Sequence, residues 1–189
     1  DIPEFYDMHQ VSAFRKLLRR IHCKIVYHFM ARVDRFILLT EQMAMPLHVG
    51  NRPYLVMEGM CGDVADEPPV SKPQPFSMLY TGRLNRRYGL ELLLQAMKEL
   101  QDPNIELWLC GSGEMEEEIR TYAAQDSRIR FFGFLPHEEA VRLQKQATVL
   151  VNPRTNQGEY TKYSFPSKTM EYMASGRPVM MFRLDGIPG

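Results

Sequence analysis

From Phe76 to Phe182 the chain alternates between short apolar runs and amphipathic segments, and this alternation restricts the fold more than any other feature. The runs FSMLYT (76–81), IELWLC (105–110), RIRFFG (128–133), TVLVNP (148–153) and PVMMF (178–182) predict five strands. Residues 89–100, 114–124, 137–146 and a short segment that stops at Gly176 predict the helices between them. Strands separated by single helices must lie parallel, because the connection has to carry the chain back across a sheet face. The expected fold class is therefore α/β: a parallel sheet with helices on both faces.

The chain ahead of this series has a different character. Residues 63–75, DVADEPPVSKPQP, hold four prolines with no apolar period and read as a linker. Before it, residues 1–62 read as part of a separate domain. There Phe14, Leu17, Leu18, Ile21, Ile25, Phe29 and Val33 fall at helical spacing over residues 11–33, with Arg15, Lys16, Arg19, Arg20 and Lys24 between them. Such a helix either lies with its basic residues on an anionic membrane surface or packs on a sheet with those residues in water. FILLT (36–40) reads as a buried strand, PYLVME (53–58) as another, and 41–45 as one helical turn. With Asp1 first and GIPG shortly after the last strand, both ends read as cut from a longer protein.

In open sheets of this kind ligands sit beyond the carboxyl ends of the strands, so the residues that follow each strand carry the functional information. Gly82 and Arg83 follow the first, a small residue and then a guanidinium able to fork onto phosphate oxygens. GSGE (111–114) follows the second, Gly133 and Phe134 the third, Asn152 to Arg154 the fourth, and Asp185 with Gly186 the fifth. The fourth loop runs into YSFPSKTMEYMASGRPV (163–179). Here Pro166 suits a first helical turn, and the free amides and helix dipole face the turn before it, where an anion would sit. Glu171 then offers an acceptor pair to a diol nearby. A nucleotide diphosphate supplies both anion and diol; an ordinary helix with a surface glutamate is the other reading of this stretch.

Composition narrows the partners. Lys plus Arg equals Asp plus Glu at 23 each, so nothing in the net charge points to nucleic acid. The three cysteines, Cys23, Cys61 and Cys110, have no CxxC spacing and read as reduced thiols of a cytosolic protein. No apolar run reaches the ~18 residues of a membrane span, and no signal peptide opens the chain. The histidines show no ligand spacing, and no Asp-x-Asp pair is present to hold a divalent ion on a diphosphate, so no metal or cofactor is expected.

TGRLNRRYG (81–89), LWLCGSGEMEEEI (107–119), RIRFFGFLPHEEA (128–140), TVLVNPR (148–154) and YSFPSKTMEYMASGRPV (163–179) resemble, in this order, the C-terminal nucleotide-sugar-binding domain of glycosyltransferase family 4. The resemblance implies a GT-B fold: a Rossmann-like domain over 76–189, preceded by a partial N-terminal domain on the acceptor side. It implies a retaining, metal-independent glycosyltransferase that moves a sugar from a UDP- or GDP-linked donor to a glycan or lipid-linked acceptor. The subgroup resembled serves surface polysaccharide and capsule synthesis, in the cytoplasm or at the inner face of the membrane. Arg83, beside Gly82, would contact the donor diphosphate and Glu171 the ribose hydroxyls. The backbone of Ser164, Phe165 and Pro166 would wrap sugar and phosphates, Gly133 and Phe134 would meet the base, and Gly111 to Gly113 would lie nearby.

Two positions depart from the family pattern. Tyr163 stands where the family has the first Glu of its Glu-x7-Glu motif, near the transferred sugar, and is taken with Arg83 and Glu171 as the catalytic set; Glu159 is the other residue able to fill that space. Tyr88 replaces a phosphate-binding Lys, with Arg86 or Arg87 as compensating cations. These departures support a rival of another class, a non-catalytic nucleotide-binding or scaffolding module. GSG alone supports a third reading, a dinucleotide oxidoreductase, and weakly, since the last glycine of GxGxxG is missing.

Overall fold

The computed structural model describes residues 12–57, 59, 75–157, 161, 163, 167–185 and 187. The chain divides into two units, one of Asp1–Met60, Asn156–Phe165 and Leu184–Gly189, the other of Cys61–Thr155 and Pro166–Arg183.

In the first unit, helix α1 (Ala13–Met30) leads to strands β1 (Phe36–Leu38) and β2 (Tyr54–Val56), which pair in parallel with Phe36 opposite Tyr54. A single 3-10 turn, Glu41–Ala44, follows β1. Arg52 organises the unit. Its guanidinium donates to the carbonyls of Met30 (2.7 Å), Val33 (3.0 Å) and His48 and stacks on the Phe36 ring 4.7 Å away. It thereby ties the last carbonyl of α1 to the two loops that carry Val33 and His48.

Packing of α1 against a sheet is not what the described residues of this unit show. The helix has no buried residue, and its stripe of Phe14, Leu17, Leu18, Ile21, Ile25 and Phe29 is exposed, Phe14 by 69%. The strands expected to be buried likewise present Ile37 and Leu55 to solvent. The physical reason is that periodicity reports which residues share a face, whereas burial needs a second layer over that face. Only a two-stranded sheet is formed here among the described residues.

The second unit is built from β3 (Phe76–Arg83), α2 (Leu90–Glu99), β4 (Ile105–Ser112), α3 (Glu116–Gln125), β5 (Ile129–Gly133), α4 (His137–Gln146), β6 (Val149–Asn152), α5 (Ser167–Ala174) and β7 (Val179–Met181). The five strands are all parallel, in the order β5-β4-β3-β6-β7. Alternate residues of each strand feed two separate cores. Leu107, Leu109, Tyr80 and Val151 pack on one face against Leu90, Leu94 and Met97 of α2 and Ile119 of α3. Trp108, Cys110, Leu79 and Leu150 pack on the other against Ala140 and Leu143 of α4 and Tyr172 of α5. With both faces covered, the strands have no polar side, which is why they read as continuous apolar runs.

The chain builds outward from β3 to β4 and β5, then returns to the other side of β3 for β6 and β7. That reversal is a topological switch point, where the connections on either side of β3 diverge and leave a crevice at the carboxyl ends. β6 pairs with β3 only at Met78 and Leu79, so it has left the strand before Thr81. Tyr172 takes over the exposed main chain. The Thr81 N–H donates to the Tyr172 hydroxyl (2.8 Å), and the hydroxyl donates to the Thr81 carbonyl (3.0 Å). Tyr172→Phe is expected to lower stability by about 1–3 kcal/mol, because it strands two buried main-chain groups. Chemical denaturation measures this, and an unchanged midpoint would show that β3 does not depend on the phenol there.

Candidate functional site

The site is built where β3 ends. Gly82 and Arg83 are the last two residues of the strand, paired with Gly111 and Ser112 of β4. The Arg83 side chain is exposed, while its carbonyl accepts a hydrogen bond from the Tyr80 hydroxyl (2.9 Å). Burial pushes the Tyr80 phenol far above its usual range, so it stays a proton donor and fixes the turn of main chain that presents Arg83. Leu84 N–H donates to the Ser112 carbonyl (2.9 Å) and Met115 N–H to the Leu84 carbonyl (3.0 Å), so the GSG turn buttresses the Arg83 turn.

Glu171 lies in the second turn of α5, half-buried. Its Oε1 accepts from Gln144 Nε2 (2.5 Å), and both its oxygens accept from Lys168 Nζ (3.0 and 3.2 Å). Burial alone would raise this carboxyl. The hydrogen bonds from Gln144 and Lys168, with the charges of Lys168 and His137, outweigh burial and hold it below its ordinary value. It is therefore an ionised, acceptor-only group at neutral pH.

Gln144 connects Glu171 to the strand. The same Nε2 donates to Thr81 Oγ1 (3.0 Å), whose hydroxyl lies 3.3 Å from the Tyr172 oxygen. The bonds run in one direction, from the Gln144 amide through the Thr81 and Tyr172 hydroxyls to the Thr81 carbonyl, an order in which each polarises the next. Asn152, at the end of β6, adds a second tie: its Nδ2 lies 3.3 Å from Thr169 Oγ1 on α5. The structure thus joins Glu171 to β3 two residues ahead of Arg83, with Gly111 to Gly113 alongside.

Gly133 ends β5, an edge strand two positions from β3, and Phe134, the next residue, has its ring 75% exposed. Tyr163 and Asp185 belong to the first unit, where Asp185 exchanges hydrogen bonds with Asn156. Ser164, Phe165, Pro166, Glu159 and Gly186 lie outside the described residues. Of the two candidate replacements for the missing Lys, Arg86 pairs with Glu118 (2.5 Å) and Glu91, and Arg87 lies over the Tyr88 ring at 4.9 Å.

The oxidoreductase reading of GSG meets an electrostatic obstacle. A dinucleotide would put its pyrophosphate at the start of α3. The first turn of that helix carries Glu116, Glu117 and Glu118, and Glu116 already accepts from the Gly113 N–H (3.0 Å). The Arg86 N–H is taken by Glu114 (2.9 Å). Carboxylates therefore occupy the place an anion would need.

Gln144, Thr81 and Lys168 were not singled out from sequence. One signal for Gln144 was available: it falls with Ala140, Leu143 and Ala147 on the apolar stripe of α4, and a polar residue on a core-facing stripe needs a partner. Among the described residues, no helix is long and apolar enough to cross a membrane, and no group of three His, Cys, Asp or Glu could hold a metal ion.

The family described as glycosyl transferases, group 1, matches residues 75–189. The amylovoran biosynthesis glycosyltransferase AmsK of Erwinia amylovora is 28% identical over 120 residues, 61% of this chain and 30% of that protein. A D-inositol 3-phosphate glycosyltransferase of Corynebacterium diphtheriae is 34% identical over 122 residues, 59% of this chain and 27% of that protein. The chain thus spans under a third of the length of these relatives. The pneumococcal O-GlcNAc transferase GtfA, solved with UDP and GlcNAc, shares the fold with a TM-score of 0.62 at 20% identity, over 87% of this chain and 32% of that one. With the match running through every strand and helix of the second unit, the chain belongs to the group 1 glycosyltransferases.

Proposed function

We propose that the second unit is the donor-binding half of a retaining glycosyltransferase, which transfers a sugar from a UDP- or GDP-linked donor to a glycan or lipid-linked acceptor. One observation carries the reading: an ionised carboxylate, Glu171, is tethered to the switch-point strand two residues from an exposed arginine. A ribose diol donates to the carboxylate while the guanidinium forks onto diphosphate oxygens. GtfA's structure with UDP supports a nucleotide donor, and AmsK's name supports polysaccharide synthesis as the setting. A peripheral contact with an anionic membrane belongs to the same reading, supported by the exposed apolar stripe and basic residues of α1; failure to co-sediment with anionic vesicles would count against that part.

In the reaction, negative charge builds on the departing diphosphate as the bond to the sugar's anomeric carbon breaks. Only interactions that strengthen as this charge appears speed the step. Arg83 answers that requirement, because a guanidinium is always charged and its donors are fixed in a plane. The start of α5 at Ser167 adds the helix dipole. Glu171 has a different role: the ribose is the same in donor and product, so its contact contributes to binding and register more than to rate.

A screen of nucleotide sugars on the intact protein tests the reading. A bound donor at 100 times its dissociation constant adds about 2.7 kcal/mol of stability and a corresponding rise in melting temperature. Stabilisation by a UDP- or GDP-sugar with transfer to acceptor is the expected result. Stabilisation without turnover would favour the non-catalytic module, and stabilisation by NAD alone would reject the proposal.

A further inference from the structure

We infer that Gln144 is a positioning residue of the donor site: by bridging Thr81 and Glu171 it holds the carboxylate in the orientation that reads the ribose. The inference rests on the proposed ribose contact of Glu171.

Gln144 has no exposed surface and sits among Ala140, Leu143 and Ala147, between α4 and the sheet. A leucine or methionine would fill that space without the desolvation of an amide. What the amide adds is its pair of N–H donors, one to Thr81 Oγ1 and one to Glu171 Oε1. The carboxylate fixes which way the amide points, because an ionised acceptor cannot face a carbonyl oxygen. The consequence is visible at the other end, where Gln144 Oε1 is buried without a hydrogen-bond partner among the described residues. The arrangement keeps both donors in place even though it leaves a buried acceptor unsatisfied.

Without Gln144, the described partner of Glu171 is Lys168, one turn earlier on the same helix and 40% exposed. That flexible ammonium follows the carboxylate as it swings toward water. Gln144 is anchored on another element and keeps Oε1 turned to the sheet, so Oε2, which among the described residues accepts only from Lys168, keeps lone pairs for the diol.

The experiment compares, in the intact protein, the affinities of UDP and 2'-deoxy-UDP, and of GDP and 2'-deoxy-GDP, by titration calorimetry. The wild type is expected to prefer the ribonucleotide by about tenfold or more, and Glu171→Ala to bring the ratio near one. Gln144→Met, which keeps volume and removes both donors, is expected to lower the ratio at least threefold. Gln144→Glu supplies a pH readout that a packing role would not produce. When protonated, the new carboxyl donates the bond the amide made; when ionised, it repels Glu171. The ratio should therefore approach the wild-type value at pH 5.5 and collapse at pH 8. Among the described residues, the titratable groups that interact with Glu171 are Lys168 and Tyr172 on α5 and His137 on α4, with Cys110 of β4 coupled to Tyr172 and Lys168; all are shared with the wild type, which serves as the control at each pH. A wild-type ratio near one would remove the ribose contact itself. A wild-type preference kept unchanged by Gln144→Met, or by Gln144→Glu at both pH values, would overturn the role of Gln144 and leave the ribose contact standing.

Discussion

Gly111→Ala is expected to lower the stability of the second unit by about 3 kcal/mol or more, from backbone strain and overpacking together. Gly111 has φ 144°, and a Cβ there would lie 1.7 Å from the Gly82 carbonyl oxygen and 2.9 Å from its carbon. Both atoms are main chain of the neighbouring strand, so no side chain can turn aside. β3 and β4 would have to separate where Gly82 pairs with Gly111, next to Arg83. Gly133→Ala is the internal control: φ there is 68°, but a Cβ would meet nothing within 4 Å. That variant carries only left-handed strain, about 1–2 kcal/mol. Denaturant titrations followed through Trp108, the single tryptophan, located on β4, separate the two cases. Equal losses would show that close strand approach is not the constraint.

Arg83→Ala is expected to lower kcat/KM by about 100-fold, or roughly 2.7 kcal/mol of transition-state stabilisation. The loss should fall more on kcat than on affinity for the nucleoside diphosphate, since in the proposed role the charge that Arg83 meets grows as the leaving group departs. Arg83→Lys should recover only part, because an ammonium cannot make the forked contact. Arg86→Ala provides the contrast. That guanidinium is neutralised by Glu91 and Glu118 at an exposed position, where such pairs contribute at most about 1 kcal/mol, and donor kinetics should change little. Unchanged kinetics for Arg83→Ala would remove it from the site.

The architecture of the second unit was legible in the sequence because each level of signal agreed. Period-3.6 stripes such as Leu90, Leu93, Leu94 and Met97 and apolar runs such as IELWLC mark their elements with little ambiguity, and β3 begins at Phe76 as the run FSMLYT indicates. Gly82 and Arg83 were singled out by the rule that function collects beyond strand ends, and Glu171 by its place in the helix that Pro166 opens. The strand order was not legible, since nothing local in TVLVNP says that it returns to the other side of β3.

Contacts across the fold were hidden for the same reason. Tyr172 completes the hydrogen bonding of Thr81 across 91 residues, and Gln144 reaches Thr81 across 63. A tyrosine beside Glu171 reads locally as an aromatic on a helix, and a glutamine in LQKQ as a surface residue. In α1 a well-formed apolar stripe was readable, but what would cover it was not, and among the described residues it is exposed.

A nucleotide diphosphate sugar is expected to bind where β3, β6 and the start of α5 meet. Hydrogen–deuterium exchange on the intact protein, with and without a saturating donor, tests it most directly. The predicted footprint is slower exchange in peptides covering Gly82 to Asn85, Asn152 to Arg154 and Ser167 to Tyr172. Protection concentrated on the α3 start at Glu116 to Glu118, or none at these three segments while the donor is bound, would contradict it.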